Sequence, residues 1–402
     1  MEGTKPPRSR IEIETFGGPF DRITTVLEEF EPGQDDFITP LDKCGVSPRA
    51  VDQLFDRQLE VSLPSRLHTT VLDMNRFRAG KCGGGGVGVA VKIPNICRIK
   101  AISAPEVRVN STRKPLVEHF AVLFKKLLHY PGGFEIELQG HERRHVGMGS
   151  SSGAIAAVCV AINEVLGRPF NNRELRRIMG YNFCEESPTG SGYLIHAFET
   201  GVGAMAGIHG GWVVASDDLE LVYRAAFPDT KAIILIPDVP SIKNEYNGES
   251  TSARPEVELL LRRARYLDAR QGYEKAYYVL LDLIPAMVRG DLEAMGKVIL
   301  DISFMGSKRA ECEQHGLFGA NIYHWLGSFK ELGAELVAMS SVGPTILVLT
   351  RRPNVYDRIL SFLSEKNIPQ SRIIETEVDN VGARITENGR ERTYEGESWI
   401  SG

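Results

Sequence analysis

A loop of glycines and serines opens directly onto an apolar helix, and this feature constrains the fold more than any other. The loop reads GMGSSSG over 147–153, and the apolar run AIAAVCVAI follows over 154–162. Glycines let the backbone approach an anion closely, serine hydroxyls donate to it, and a helix N-terminus adds a favourable dipole. We therefore predict a phosphate-binding loop made of Gly147, Gly149, Ser150, Ser151, Ser152 and Gly153.

Ordinary serine capping of a buried helix is the alternative interpretation of this loop. Three serines flanked by glycines are more than a cap requires, which favours an anion site. The loop is neither a P-loop nor a dinucleotide fingerprint, because the GK[ST] ending and the GxGxxG spacing are both missing.

Strands mixed with helices, without strict alternation, predict an α+β fold. We divide the chain into an N-terminal extension (1–58), a first domain that carries the loop (59–225) and a second domain (226–402). Within the extension, the apolar spacing from Ser47 to Leu59 predicts a helix. Such an extension would form an extra surface layer or a dimer arm, and an active-site lid is the alternative.

The composition excludes several classes of protein. The net charge of -5 shows no basic excess, so we expect no nucleic-acid partner. The six cysteines are scattered without a CxxC pair, which favours reduced thiols in a chain of 402 residues. The polar N-terminus lacks an apolar region, and no apolar run approaches the roughly 20 residues that span a bilayer. We expect a cytoplasmic protein with no membrane partner.

Three segments, in the right order, resemble the motifs of the GHMP kinase superfamily, which includes galactokinase and the homoserine, mevalonate and phosphomevalonate kinases. The loop at 147–153 resembles the phosphate loop of that superfamily. The segments PSRLH at 64–68 and MSSVGPT at 339–345 are similar to its first and third motifs. This resemblance implies a ribosomal S5 domain 2-like N-terminal domain and a ferredoxin-like C-terminal domain.

Details within these segments point away from the kinases. Kinases such as mevalonate kinase carry a PSG[IV]D pattern whose Asp acts on the acceptor hydroxyl, whereas the matching stretch here, PTGSGYL, ends at Leu194. An aliphatic side chain can neither accept a proton nor hold a metal. Pro344 also replaces a glycine of the third motif. Both departures resemble a non-kinase branch, the β-ribofuranosylaminobenzene 5'-phosphate synthases.

This resemblance implies that ribose 5-phosphate is transferred from phosphoribosyl pyrophosphate (PRPP) to a carbon of an aromatic carboxylic acid. Carbon dioxide and pyrophosphate leave, and a C-glycoside forms. Related C-nucleoside synthases of the formycin and pyrazofurin type act on a pyrazole carboxylate. Differences from the first branch at 81–86, 151–153 and 183–192 concern the acceptor more than the donor, and we favour a divergent member of the C-nucleoside type, although no single residue identifies it. The alternatives are an ATP-dependent small-molecule kinase of the same superfamily and a non-catalytic nucleotide sensor. We expect small-molecule substrates only, and a homodimer.

The first motif and the residues that follow it carry the expected catalytic side chains. Arg66 has the planar guanidinium that clamps a carboxylate or a phosphate. His68, two residues further along a strand, would lie on the same face. Asp73 could stabilise the positive charge that develops on the sugar as pyrophosphate leaves. We therefore predict that Arg66, His68 and Asp73 are catalytic.

A pyrophosphate leaving group needs a divalent cation, usually Mg²⁺ held mainly by phosphate oxygens. We expect Ser150, Glu185 and Glu186 to provide its protein ligands, and Gly343 of the third motif to contribute to the PRPP site. The two glutamates are also candidates for stabilising the sugar cation. A solvated acidic turn is the alternative interpretation of this pair.

Overall fold

The structure is a computed structural model that describes residues 10–16, 22–76, 82–141, 143, 146–187, 190, 192–239, 260–315 and 320–394. Within these ranges the strands form three sheets. The strands are β1 (Arg10–Phe16), β2 (Arg22–Phe30), β3 (Gln58–Val71), β4 (Gly86–Ile102), β5 (Val107–Asn110), β6 (Gly133–Gln139), β7 (Cys184–Glu186), β8 (Leu194–His196), β9 (Trp212–Ala215), β10 (Leu221–Ala225), β11 (Lys231–Leu235), β12 (Leu336–Met339), β13 (Ile346–Thr350), β14 (Ile373–Glu377), β15 (Arg384–Glu387) and β16 (Arg390–Thr393).

The helices cover the faces of these sheets, and the longest of them, α5, is continuous through two π-helical stretches at Leu260–Ala264 and Val279–Leu283. The helices are α1 (Lys114–Leu127), α2 (Ser150–Val165), α3 (Asn172–Tyr181), α4 (Val202–His209), α5 (260–288), α6 (Leu292–Ile302), α7 (Gly306–Glu313), α8 (Ala320–Glu331) and α9 (Pro353–Glu365). Short 3₁₀ turns lie at Asp35–Phe37, Met74–Arg76, Asp217–Leu219 and Gln370–Arg372.

The largest sheet has the order β10-β9-β4-β3-β15-β16, and β6 extends it by pairing with β4. Helices α2 and α4 pack on β3 and β4 of this sheet. The residues of α2 from Ser151 to Val165 are all buried, which explains why this helix is apolar around its whole circumference. The predicted buried helix after the glycine-serine loop is therefore confirmed.

The second domain contains an antiparallel sheet with the order β12-β13-β11-β14. Taken as four strands in chain order, this arrangement is 2-3-1-4, with α5 to α8 between the first and second strands and α9 between the third and fourth. That is the ferredoxin-like βαββαβ pattern. The predicted α+β class is thus confirmed, and the second sheet has the ferredoxin-like pattern that the resemblance implies.

The N-terminal extension is a strand-paired layer of the first domain. Strands β1 and β2 form a hairpin, and β2 pairs with β8 in a second sheet of order β1-β2-β8-β7. The predicted helix from Ser47 to Leu59 is wrong, because β3 begins at Gln58 and the preceding residues form no regular element. Val51 donates its N–H to the Leu128 carbonyl at 2.8 Å, so a tertiary contact replaces the helical bond.

The C-terminal segment returns to the first domain. Strand β15 pairs antiparallel with β3, and β16 extends the same sheet. The sequence analysis placed residues 384–393 in the second domain, whereas their strand pairing places them in the largest sheet of the first domain. All six cysteines are buried free thiols. In the described ranges, none of the helices combines the length and apolar character needed to cross a bilayer.

Candidate active site

The three sequence motifs meet at a single hydroxyl group. Ser340 Oγ accepts the N–H of His68 at 2.9 Å and donates to the carbonyl of Gly147 at 2.6 Å. Ser341 donates its N–H to the His68 carbonyl at 2.6 Å, so the backbone of the third motif bonds directly to that of β3. Thr345 in turn bonds the Val146 carbonyl. The second domain thereby fixes the phosphate loop against the first motif.

Two glycines shape the phosphate loop. Gly147 has φ +91° and Gly149 has φ +67°, in the left-handed region that favours glycine. Gly149 is the N-cap of α2, and no side chain caps the first turn of that helix. A Cβ on Gly149 would stand 2.8 Å from Nε of Arg66. The loop thus brings the uncapped helix N-terminus and the Arg66 guanidinium into contact.

Arg66 is linked to a buried carboxylate through a serine. Its Nη2 lies 3.5 Å from Ser152 Oγ, and that hydroxyl donates to Glu199 Oε2 at 3.2 Å. Glu199 Oε1 also accepts the N–H of Gly201 at 2.6 Å. Burial lowers the pKa of Arg66 and raises that of Glu199, and the two charges oppose these shifts in each other. Within the described residues, Nε and Nη1 of Arg66 are buried and donate to no acceptor.

A second arginine reaches the neighbouring serine of the same helical turn. Arg113 Nη2 donates to Ser151 Oγ at 2.9 Å, and Arg113 Nε pairs with Glu186 Oε2 at 2.5 Å. Arg113 is buried, and the Glu186 side chain is mostly buried. Two serines at the start of α2 therefore each contact an arginine, and a glutamate completes each group. Ser150, the first residue of α2, is half-buried and remains open to a ligand.

His68 is buried beside these groups, on the face of β3 that carries Arg66. A Cβ at Gly86 would stand 2.5 Å from its Nε2, so glycine on β4 makes room for the imidazole. Nε2 has no hydrogen-bond partner among the described residues. Burial lowers the pKa of His68 well below its usual range, and the nearby Arg66 and Lys308 cations lower it further. The imidazole is therefore neutral at physiological pH.

A buried ion pair supports the third motif. Lys308 Nζ donates to the Ser341 carbonyl at 2.7 Å and pairs with Glu311 at 3.0 Å. Lys308 lies in the first turn of α7. The position of Gly343 is structural as well: it has φ +79°, and a Cβ there would stand 2.5 Å from Nε2 of His315. Lys308 and Gly343 thus stabilise the conformation in which the third motif contacts the phosphate loop.

The remaining predicted residues are placed differently from the Arg66 group. Asp73 Oδ1 accepts the N–H of Asn75 at 2.9 Å, and its carboxylate faces Arg76 at 3.5 Å, so it stabilises a local turn. Glu185 and Glu186 are consecutive in β7, and their side chains leave opposite faces of the strand. Neither glutamate lies in a solvated turn. Glu185 is half-buried, and its charge favours the charged form of Arg66.

The described residues do not fit a protein-only magnesium centre. No group of three or more His, Cys, Asp or Glu side chains among them is placed to hold a metal ion. Glu186 is already paired with Arg113.

Sequence reasoning did not find Arg113 or Glu199. Arg113 precedes α1 and lies 38 residues before the serine that it contacts, so no local spacing links the two. Glu199 did carry a signal, because it is an isolated carboxylate in the glycine-rich stretch AFETGVGAMAG at 197–207. A single charge in such an apolar segment has to be buried with partners.

Comparisons with known proteins agree with this geometry. Residues 115–191 match the family described as GHMP kinases N terminal domain. Over 350 residues the chain is 27% identical to the beta-ribofuranosylphenol 5'-phosphate synthase of Archaeoglobus fulgidus, a match that covers 81% of this chain and 99% of that protein. A protein of the same name from Methanothermobacter thermautotrophicus is 25% identical over 321 residues, 73% of this chain and 89% of that one.

Among solved structures, the mevalonate diphosphate decarboxylase of Staphylococcus aureus superposes with a TM-score of 0.58 at 14% identity, over 82% of this chain and 98% of that one. At this identity the likeness shows the fold alone. The matched GHMP kinase N-terminal domain and this superposition confirm the predicted GHMP-type fold, and the chain is similar in sequence to two proteins named beta-ribofuranosylphenol 5'-phosphate synthase.

Proposed function

We propose that this protein transfers ribose 5-phosphate from PRPP to a ring carbon of an aromatic carboxylic acid, with loss of carbon dioxide and pyrophosphate. The relatives named above are synthases of a ribofuranosylphenol 5'-phosphate. A hydroxybenzoate or an aminobenzoate is therefore the acceptor that we infer. The comparisons lend no support to the pyrazole carboxylate that the sequence favoured.

One observation carries this proposal. Arg66 is buried at the N-terminus of α2, and two of its nitrogens, Nε and Nη1, donate to no acceptor among the described residues. An unsatisfied buried guanidinium is costly unless a ligand completes its hydrogen bonds. Its contact with the uncapped Gly149 turn brings fixed positive charge and free backbone N–H groups side by side. Such an arrangement suits a pyrophosphate.

The sequence left Arg66 open between the phosphates of the donor and the carboxylate of the acceptor, and the geometry favours the donor. Arg66 and the first turn of α2 hold the leaving pyrophosphate, with Ser150 as the serine hydroxyl still open to it. Magnesium would enter as part of the substrate, where it would neutralise the charge of the pyrophosphate, and Ser150 and Glu185 are the residues that would approach it. Glu199 supplies negative charge near the sugar as its C1' becomes electron-poor. Asp73 keeps its local turn.

His68 suits the acceptor better than the donor. A neutral imidazole with an open Nε2 can accept a hydrogen bond from a phenol or an aniline, whereas it offers no charge to a phosphate. A hydrogen bond accepted from that hydroxyl or amine leaves more electron density on the ring carbon that bears the carboxylate. His68 is thus the candidate for orienting and polarising the acceptor through a hydrogen bond, without taking its proton.

The bonds balance without any oxidant or reductant. The C1'–O bond to pyrophosphate breaks, and its electron pair leaves with pyrophosphate. The ring carbon that bears the carboxylate forms the new bond to C1' with a pair of ring π electrons. The bond to the carboxylate carbon then breaks, carbon dioxide leaves, and its electron pair restores the aromatic ring.

The test is a substrate panel with the full chain and Mg²⁺. PRPP is offered with 4-hydroxybenzoate, 4-aminobenzoate or a pyrazole carboxylate, each labelled in the carboxylate, and pyrophosphate and labelled carbon dioxide are counted. We expect equal amounts of both products with one of the benzoates. Arg66→Lys keeps the charge but loses the planar fork, and should weaken PRPP binding and turnover.

ATP with the same acids is the matched control. Buried Leu194 replaces the kinase carboxylate, so no ADP should form. ADP released together with a phosphorylated acceptor would show a kinase. PRPP binding without any product across the panel would favour the non-catalytic sensor instead. Turnover only with the pyrazole acid would move the acceptor to the C-nucleoside type.

A further inference from the structure

The N-terminal extension reaches the candidate active site through its second strand. Strand β2 pairs with β8, where Phe30 lies opposite Leu194, and β8 pairs with β7, where Glu186 lies opposite the same Leu194. Directly after β7, Ser187 donates its hydroxyl hydrogen to the carboxylate of Glu29 in β2. Both residues of this hydrogen bond are buried. The extension is thus hydrogen-bonded to the residue that follows Glu186.

Strands β7 and β8 depend on the extension because they are too short to be stable alone. Each has three residues, and the sheet order β1-β2-β8-β7 places β8 between β7 and β2. A two-stranded sheet of this length is marginal in water. The nine-residue β2 supplies the third strand. The extension therefore determines where β7, and with it Glu186, is held.

The turn that follows β2 packs against helix α1. Gly33 lies so close to this helix that a Cβ on it would stand 2.6 Å from Cγ1 of Val122. Its N–H donates to Nδ1 of His119 at 3.0 Å, and its carbonyl accepts from Lys126 Nζ at 2.7 Å. Arg113 is the N-cap of the same helix. The extension therefore contacts the element that carries Arg113 as well as the strand that carries Glu186.

The ion pair between Arg113 and Glu186 joins these two elements beside the phosphate loop. Arg113 Nε lies 2.5 Å from Glu186 Oε2, and Nη2 donates to Ser151 Oγ at 2.9 Å in the first turn of α2. A buried guanidinium keeps such a geometry only while its carboxylate stays in place, because an uncompensated buried charge is strongly destabilising. The position of Ser151 therefore depends on how α1 and β7 are held together.

We propose that the N-terminal extension positions the first turn of α2 for the pyrophosphate group of the donor, and that it acts through Arg113 and Glu186. No side chain caps that turn, so the direction of its N–H groups determines how well they meet an anion. Ser187 and Glu29 are positioning residues in this scheme. The inference rests on the proposed donor site and adds the segment that sets its affinity.

The test is calorimetry of the full chain with magnesium pyrophosphate and with PRPP. Ser187→Ala removes the hydrogen bond to Glu29 and should weaken the binding of both ligands by about fivefold. Ser187→Thr keeps the hydroxyl and should bind both like the wild type. Thr39→Val is the matched control, because it removes a hydrogen bond of 3.0 Å from the extension to the Tyr181 carbonyl at the end of α3. It should change either affinity by about twofold or less.

A double-mutant cycle tests the route through Arg113. Arg113→Lys keeps the charge, but an ammonium lacks the planar fork that contacts Ser151 and Glu186 together. Ser187→Ala should therefore reduce affinity by about twofold or less in that background. In steady-state kinetics, Ser187→Ala alone should raise the KM for PRPP by about fivefold and leave kcat within about twofold. A general loss of stability would not produce this split.

Hydrogen exchange locates the effect without any ligand. The Gly153 N–H bonds the Gly149 carbonyl at 2.9 Å, which closes the first turn of α2. Amides from Gly153 onwards should exchange faster in Ser187→Ala and at the wild-type rate in Thr39→Val. Unchanged exchange, unchanged affinity, or an equal loss of affinity in the Arg113→Lys background would each overturn this inference and leave the proposed function standing. A wild-type chain that binds neither ligand would overturn the proposed function and this inference together.

Discussion

The guanidinium of Arg66 lies against the backbone of Gly149, so close that a Cβ on the glycine would stand 2.8 Å from Nε. The first motif and the phosphate loop therefore form one surface, although more than eighty residues separate them in sequence. Any side chain at this glycine has to displace the arginine. A substitution at Gly149 therefore tests whether the contact between the two motifs matters for activity.

Gly149→Ala should reduce turnover by on the order of 10²-fold, because the methyl group displaces a donor to the leaving pyrophosphate. The matched control is Gly389→Ala, which has a similar φ of +73° but nothing within 4 Å of the added Cβ. Both variants meet the same backbone cost, roughly 1–2 kcal/mol. Steady-state kinetics and thermal unfolding separate the two effects. Equal losses of activity in both variants would contradict a role for the Arg66 contact.

The glycine-serine loop could be predicted from the sequence because its information is local. Left-handed glycines and a helix N-terminus are encoded within seven consecutive residues, and both are present at Gly147 and Gly149. The α+β class followed from apolar spacing in the same way. The resemblance to the GHMP superfamily then indicated that the three motifs, which lie far apart in the sequence, belong to one site.

What could not be predicted depends on contacts between distant segments. Glu199 reaches Ser152 across 47 residues, and Arg113 reaches Ser151 across 38. Neither spacing repeats any pattern that a helix or strand imposes. The false helix at 47–59 has the same cause, because Val51 satisfies its N–H on Leu128 and not within a helical turn. Tertiary contacts override local preference at these places.

Ser340→Ala should destabilise the protein by about 1–3 kcal/mol, because it leaves the His68 N–H and the Gly147 carbonyl buried without their partner. Urea unfolding measures this change. Ser361→Ala is the control, since that exposed hydroxyl bonds only a carbonyl of its own helix. A free energy of unfolding equal in both variants would show that the bridge between the motifs contributes nothing.

Glu199→Gln should lower kcat by about tenfold, the equivalent of about 1.4 kcal/mol. The amide can still accept the Gly201 N–H, but it carries no charge to stabilise the developing sugar cation. Removing an anion beside Arg66 should at the same time tighten the binding of PRPP. Kinetics and calorimetry together test this split. Unchanged kcat with weaker PRPP binding would show that Glu199 only holds Arg66 in place.

Lowering the pH should destabilise the fold through His119. Its Nδ1 accepts the N–H of Gly33 at 3.0 Å, so protonation must break a buried hydrogen bond. Burial lowers the pKa of His119 to about 3, whereas an unfolded histidine titrates near 6.5. Between these values the unfolded chain binds one more proton than the folded chain, and stability falls as the pH falls.

Substituting His119 isolates its own contribution to this loss of stability. One such histidine contributes about 1.4 kcal/mol per pH unit between pH 6.5 and 3, and nothing above that range. His119→Gln keeps a hydrogen-bond acceptor but cannot take up this proton. Between pH 6 and 4 its free energy of unfolding should therefore fall with pH less steeply than that of the wild type, by about 1.4 kcal/mol per pH unit. His324→Gln, at an exposed site, should keep the wild-type slope. Urea unfolding at each pH measures the slopes, and identical slopes in the wild type and His119→Gln would mean that the buried imidazole takes up its proton without unfolding.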